Sequence, residues 1–252
     1  MKRWLPLTCV IAALAVASAA SADQRGLNLS WDECGAAGVA NKVFACNTNS
    51  GINTIVASFL APDSITTYVS NEGQIDLIFA TSSPPNWWQL KTQTGQPAAC
   101  RNGGISVDGN FLAYSVCANA WLAVPSGGLG SFTIDPFGTQ ANRVRIATVL
   151  AVGIADAQPL TPGTEYYAFK CTITHAKTVG TGACAGCTDP VCLVLNRIHV
   201  IQPTGTDGGS PNIFDPPAGG NRAITWQGGT GVDCNLVPTR NKTWGQIKSL
   251  YR

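Results

Sequence analysis

The densest chemistry in the sequence lies at Cys184-Ala-Gly-Cys187-Thr-Asp-Pro-Val-Cys192. Three thiols at this spacing could supply three ligands of a tetrahedral zinc, with Cys171 or Cys234 as the fourth. They could equally be a loop tip held by disulfides. The wider cysteine usage favours the second reading. Ten cysteines in a chain with 12% charged residues suit an oxidising compartment, where thiols pair. No second Cys-x-x-Cys completes a zinc set. A redox role would need a helix N-terminus to lower the thiol pKa, and Gly186 and Pro190 place the motif in a turn instead. The expectation is disulfide chemistry, with no metal and no cofactor.

Spacing then suggests partners. Cys34 and Cys46 bracket one polar segment, and Cys100 and Cys117 bracket another. Each pair would close a loop of about 13 to 18 residues, stabilising the fold by roughly 3 kcal/mol. If Thr164 to His175 and Val191 to Ile201 form an antiparallel hairpin, Cys184 and Cys192 meet across it. Cys187 is then left for Cys234. Cys171 shares the inward face of Tyr167, Phe169 and Ile173 and is expected to be the unpaired thiol, behaving as a small apolar side chain.

Aromatic chemistry concentrates at Pro84-Pro85-Asn86-Trp87-Trp88. Two tryptophans after a stiff Pro-Pro, with Asn86 and Gln89 beside them, are the ligand-binding candidates, forming a platform for a sugar ring or a partner surface. In an extended segment neighbouring side chains point oppositely, so at least one of Trp87 and Trp88 should anchor the loop inward. Trp226 is a more distant candidate for the same platform.

Other constellations are sparse. The two histidines, His175 and His199, fall on opposite faces of the expected hairpin, which separates them as metal ligands. Gly-x-Ser-x-Gly, His-Glu-x-x-His, phosphate-loop and EF-hand patterns are absent from the sequence. No catalytic residue is assigned. Asp207-Gly-Gly and Asp215-Pro-Pro could offer oxygens to calcium, but their residue types are equally those of ordinary loops.

The elements that must hold these residues read as strands. Ile52 to Phe59, Gln74 to Ala80, Phe111 to Cys117, Arg143 to Val152, Thr164 to His175 and Val191 to Ile201 are rich in Val, Ile, Thr, Tyr and Phe between Gly/Pro/Asn/Asp clusters. Ser64 to Ser70, Leu129 to Ile134 and Ala223 to Gln227 carry the same pattern more weakly. Short strands without intervening amphipathic helices predict an all-β fold, an antiparallel β-sandwich with long disulfide-bonded loops. Thr243-Trp-Gly-Gln246 has capping-box spacing and predicts a short C-terminal helix.

The N-terminus reads as an export signal over 1–22. Lys2 and Arg3 precede an apolar run from Leu5 to Ala20, and Ala20-Ser21-Ala22 has the small-x-small pattern of a cleavage site. The run is shorter than the roughly 20 residues that span a bilayer. Residues 23–252 form the expected single domain. Losing Lys2 and Arg3 leaves 14 Lys+Arg against 14 Asp+Glu, so the net charge of +2 belongs to the leader. That neutrality argues against nucleic acid as a partner, and no later stretch approaches membrane-spanning length. The expected location is secreted or cell-surface, periplasmic or extracellular.

The run Arg143 to Val152, then Pro159-Leu-Thr-Pro-Gly-Thr-Glu-Tyr-Tyr-Ala-Phe-Lys170, then Val191 to Ile201 resembles the immunoglobulin-like and cohesin-like β-sandwich modules of exported bacterial proteins. The chain as a whole also resembles uncharacterised exported bacterial β-sandwich proteins. The resemblance implies a sandwich body and brings no activity with it. The expected function is a non-enzymatic structural, surface or adhesive role, with a glycan or a surface protein as partner. A carbohydrate-binding module using exposed tryptophans is the alternative, and a secreted hydrolase with scattered Asp/Glu the second.

Overall fold

The computed structural model describes residues 26–63, 65–217 and 219–234. The expected leader and C-terminal helix lie outside them. Eleven strands follow in order: β1 (Gly26–Trp31), β2 (Asn41–Lys42), β3 (Ile52–Leu60), β4 (Ser70–Phe79), β5 (Ile105–Asp108), β6 (Ser126–Ile134), β7 (Arg143–Ala151), β8 (Glu165–Thr174), β9 (Val191–Ile201), β10 (Asn212–Ile213) and β11 (Ala223–Trp226). One sheet has four strands, ordered β1-β3-β8-β5. The other has seven, ordered β2-β11-β9-β4-β7-β6, with β10 also beside β9. All named strand pairs are antiparallel except β11 with β2. The only helices among the described residues are single 3-10 turns.

Period-2 alternation builds the core between the sheets. Ile55, Ala57, Phe169, Cys171 and Ile173 of one sheet join Ile75, Leu77, Val144, Ile146, Leu150, Leu193 and Leu195 of the other in one continuous cluster. Close approach depends on Gly73 in β4. A Cβ there would lie 2.2 Å from Phe169 Cε1 and 2.6 Å from Thr148 Oγ1, so the glycine makes room for a ring from the facing sheet. Asn71 ties the layers polar to polar, donating to Ala168 O at 3.0 Å and to Tyr68 Oη at 2.6 Å.

Outside the seven-stranded sheet, Asp76 is 1% exposed and accepts two bonds from Arg145, at 2.8 and 2.9 Å. The Arg145 guanidinium lies over Phe137, 4.6 Å from the ring centroid. The register places Asp76 directly opposite Arg145 on β7, so the paired charges come from cross-strand neighbours on one face.

Three expected elements differ. Over the described part of Ser64 to Ser70 the chain is not a strand: Tyr68 makes an isolated bridge to Gln158, and β4 starts only at Ser70. Phe111 to Cys117 is a loop, because Asp108 Oδ1 accepts from Asn110 N and Asn110 Oδ1 from Leu112 N, turning the chain twice in succession. Phe111 and Tyr114 still point inward, with Phe111 stacked on Tyr167 at 4.4 Å. The expected hairpin of β8 and β9 does not form either. β8 pairs with β3 and β5, whereas β9 pairs with β4, β10 and β11 in the other sheet. The stretch 175–190 is thus a crossing between layers rather than a hairpin tip.

That crossing changes every expected disulfide partner. The bonded pairs are Cys34–Cys117, Cys46–Cys187, Cys100–Cys184 and Cys192–Cys234. Cys34 with Cys46, Cys100 with Cys117, Cys184 with Cys192 and Cys187 with Cys234 are not pairs. Cys184 and Cys187 lie on the crossing loop, where loop residues 84 and 141 positions back in sequence come near. Cys192 sits on the outer face of β9 beside Ile78 and Val194 and bonds Cys234 there. Three of the bonds interlock, since 34–117 overlaps both 46–187 and 100–184.

Among the described residues Cys171 is the free cysteine, wholly buried on the inner face of β8. Burial, with Asp108 adding to it, pushes its thiol pKa up to about 12. A thiol reagent added to the native 23–252 chain is therefore expected to find nothing, and one thiol after denaturation without reductant. Reaction of a thiol in the native state would contradict this placement.

Candidate functional site

The expected tryptophan platform faces inward. Pro85 leads into a 3-10 turn over Asn86–Trp88, so Trp87 and Trp88 do not alternate as they would in an extended segment. Both are 0% exposed, as is Trp226. This corrects Trp87 and Trp88 as ligand contacts: the turn carries both rings into the core. Ring centroids lie 5.1 Å apart for Trp87–Trp88, 5.0 Å for Trp87–Trp226 and 5.2 Å for Trp88–Trp226. Phe44 stacks on Trp226 at 3.9 Å, and Trp31 closes on Phe44 at 4.8 Å. Trp87 Nε1 donates to Thr178 Oγ1 at 2.9 Å, and Trp226 Nε1 to Cys187 O at 2.7 Å.

Arg101 completes this nest, and no pattern in the sequence singled it out. Its guanidinium carbon lies 3.6 Å from the Trp87 ring centroid, a cation–π contact inside the fold. It donates to Trp87 O at 2.8 Å, to Ala176 O at 2.9 Å and to Thr174 O. Backbone carbonyls thus satisfy a guanidinium that burial strips of water. Its pKa falls to about 10 for that reason. Cys100–Cys184 and Cys46–Cys187 fasten the loops that carry Arg101 and the ring partners.

His175 borders the nest, its ring 6.2 Å from Trp87. Asn53 Nδ2 donates to its Nε2 at 2.6 Å, while Nδ1 is buried with no partner among the described residues. Burial lowers its pKa, and the nearby Arg101 charge lowers it further. The folded protein therefore holds His175 neutral where the unfolded chain takes up a proton. This contribution to stability is complete above the unfolded value of 6.5 and is lost as pH falls through the lower folded value. His175→Phe is expected to flatten that acid limb of the stability–pH curve, measured by urea unfolding. An unchanged limb would place the proton uptake elsewhere.

His199 belongs to the other sheet, beside Glu72 Oε2 at 3.4 Å and Ser210 O at 3.2 Å. Among the described residues, no three His, Cys, Asp or Glu side chains converge on a cation position. Asp207 and Asp215 are loop residues whose carbonyls accept from Gln202 Nε2 and Leu27 N.

A different group of residues lines an open cleft on the outside of the four-stranded sheet. The cleft measures about 350 Å³, and Asn28, Leu29, Ser30, Leu60, Glu165 and Asn221 are among its walls. Register explains the assembly: Asn28 lies opposite Ser58, and Leu60 opposite Glu165, on the adjacent strands β1, β3 and β8. Asn28 Nδ2 and Ser58 Oγ both donate to Glu165 Oε1, at 2.7 and 2.6 Å. Asn28 Oδ1 accepts from Asn221 N at 2.9 Å. Gly35 and Gly38 on one side and Pro217, Gly219, Gly220 and Asn221 on the other form the rim. The signal in the sequence was the alternation of Gly-Leu-Asn-Leu-Ser-Trp over 26–31, which sets Asn28 and Ser30 on one face.

Beneath the rim, Glu33 and Tyr167 form a second polar contact. Tyr167 Oη donates to Glu33 Oε1 at 2.6 Å and accepts from Val116 N and Cys117 N at 3.0 and 3.1 Å. Burial first, then the Glu33 bond, raises the Tyr167 pKa. This contact and the Cys34–Cys117 bond fix the 109–125 loop beside the cleft.

The fold and sites define a disulfide-braced, all-β sandwich with a tryptophan–arginine nest inside and a polar cleft outside. No family model, curated protein or solved structure matches the chain.

Proposed function

We propose that the chain is an exported β-sandwich protein with a structural, surface or adhesive role outside the cytoplasm, without catalysis. One observation carries the reading: four disulfides, three of them interlocked, join positions 42 to 141 residues apart in the chain. Such a frame suits an oxidising compartment and resists local opening of the loops, which are the parts a surface protein exposes. The likeness to immunoglobulin-like modules belongs to the same reading, since strands from distant parts of the chain alternate between two facing sheets.

Expression of the full chain with its own leader in a bacterium tests this. The expected result is processed protein beginning at Asp23 in the periplasm or medium, oxidised, and retained on cell surfaces or on immobilised surface polymers. Unprocessed, reduced protein in the cytoplasm would overturn the export reading. Exported protein that releases product from a polysaccharide or peptide panel would replace the structural role with the hydrolase.

A further inference from the structure

We infer that the cleft over β1 binds a small organic primary ammonium, of about the size of a single hexosamine ring. The inference stands apart from the structural role proposed above. Its floor is built by three adjacent strands rather than by a loop. Asn28 is 5% exposed and Ser58 is 0%, and both spend their donors on the same oxygen, Glu165 Oε1. That pair of bonds fixes the carboxylate plane. Oε2 is left with no donor among the described residues and lies beside Gly35, another lining residue.

Glycines keep this oxygen open. Gly35 has φ +53, and a Cβ there would lie 2.5 Å from Glu165 Oε2, so any side chain would cover the carboxylate. At the opposite rim a Cβ on Gly220 would lie 2.5 Å from Asn28 Oδ1. Both backbone segments thus approach the polar floor closely while leaving a cavity above it.

Charge selects the ligand. Glu165 is the one ionisable residue among those lining the cleft, which include no Lys, Arg or His. An anion would face an uncompensated carboxylate. A neutral ligand would displace water from Oε2 without replacing its charge-assisted bonds. A primary ammonium supplies a positive charge and three donors on a compact head. Ala40, Leu60 and Pro217 provide apolar wall for the carbon body, and the volume is at the small end of ligand pockets, roughly 300–1,000 Å³.

The test uses the oxidised 23–252 protein and follows backbone amides by NMR during titration with D-glucosamine and with N-acetyl-D-glucosamine. The second has the same ring without the charge. Saturable glucosamine shifts at Ser30, Gly35, Gly38, Gly220 and Asn221 are expected, with N-acetylglucosamine at least about tenfold weaker. Glu165→Gln, which preserves shape and removes charge, should weaken glucosamine to the same degree while leaving the remaining spectrum in place. Equal binding of the two sugars, shifts centred elsewhere, or no saturation at millimolar glucosamine would each overturn the assignment. Should Glu165→Gln fail to fold, the two-sugar comparison on the unaltered protein decides alone.

Discussion

Trp87→Ala is expected to lose about 3–5 kcal/mol of stability in denaturant unfolding with the disulfides intact. The ring is wholly buried and contacts Trp88, Trp226, His175 and Arg101. Truncation opens a cavity that these large, mutually supporting rings are poorly placed to fill. It also takes the aromatic face from the Arg101 guanidinium, leaving that charge buried on carbonyls alone. Near-UV circular dichroism should lose most of the tryptophan signal that arises from ring–ring contact. A tryptophan serving as a surface platform would behave otherwise, costing within about 0.5 kcal/mol on replacement. The size of the loss therefore separates an internal brace from an exposed ligand contact. A loss below about 1 kcal/mol would contradict the buried nest.

Replacing Cys46 and Cys187 together by alanine is the second large effect. The bond spans 141 residues, and in the chain-entropy account its removal frees the unfolded chain by about 5 kcal/mol. Removing Cys192–Cys234, which spans 42 residues, should cost about 1 kcal/mol less on loop length alone. The local surroundings widen the gap in the same direction. Cys187 O accepts the indole N–H of Trp226, and Gln227 Nε2 donates to Phe44 O while contacting Cys46 Sγ at 3.3 Å. Loss of 46–187 loosens the wall of the nest, whereas 192–234 fastens a small cluster outside the sheet. Thermal and urea unfolding of the two paired variants should rank them accordingly, with the 46–187 variant the less stable. The reverse ranking would mean that the nest holds its wall without the bond.

The sequence made the strands legible where alternation was strong. Val191 to Ile201 matches β9 residue for residue, and Thr164 to His175 differs from β8 by one residue at each end. Their sheet membership was not legible, because two neighbouring strands of apolar character pair as readily with distant partners as with each other. Here β8 takes β3 and β5, and β9 takes β4 and β11. Cysteine pairing inherited that error: short spacing suggested local loops, while the layers bring together residues far apart in the chain. Strand parity was more reliable within one element. Phe169, Cys171 and Ile173 share the inward face as expected, and Cys171 is the free cysteine among the described residues, but a register shift opposite Ala57 and Ser58 carries Tyr167 to the other face, beside Ser58.

The sites were harder to read for related reasons. Trp87 and Trp88 drew notice as an adjacent pair, and the 3-10 turn after Pro85 reversed their meaning by turning both inward. Arg101 had no neighbouring motif, since its partners are carbonyls and a ring supplied by other loops. Glu165 lay inside a run that reads as a turn followed by a strand. Only the β1–β3–β8 register brings it to Asn28 and Ser58, from 137 and 107 residues away.

Peptide mapping of the oxidised, unreduced 23–252 protein by mass spectrometry tests the interlocked frame most directly. The structure predicts linked peptides for Cys34–Cys117, Cys46–Cys187, Cys100–Cys184 and Cys192–Cys234, with Cys171 alkylated only after denaturation. Linked peptides joining Cys34 to Cys46, Cys100 to Cys117 or Cys184 to Cys192 would contradict it, and with it the crossing of 175–190 between the sheets.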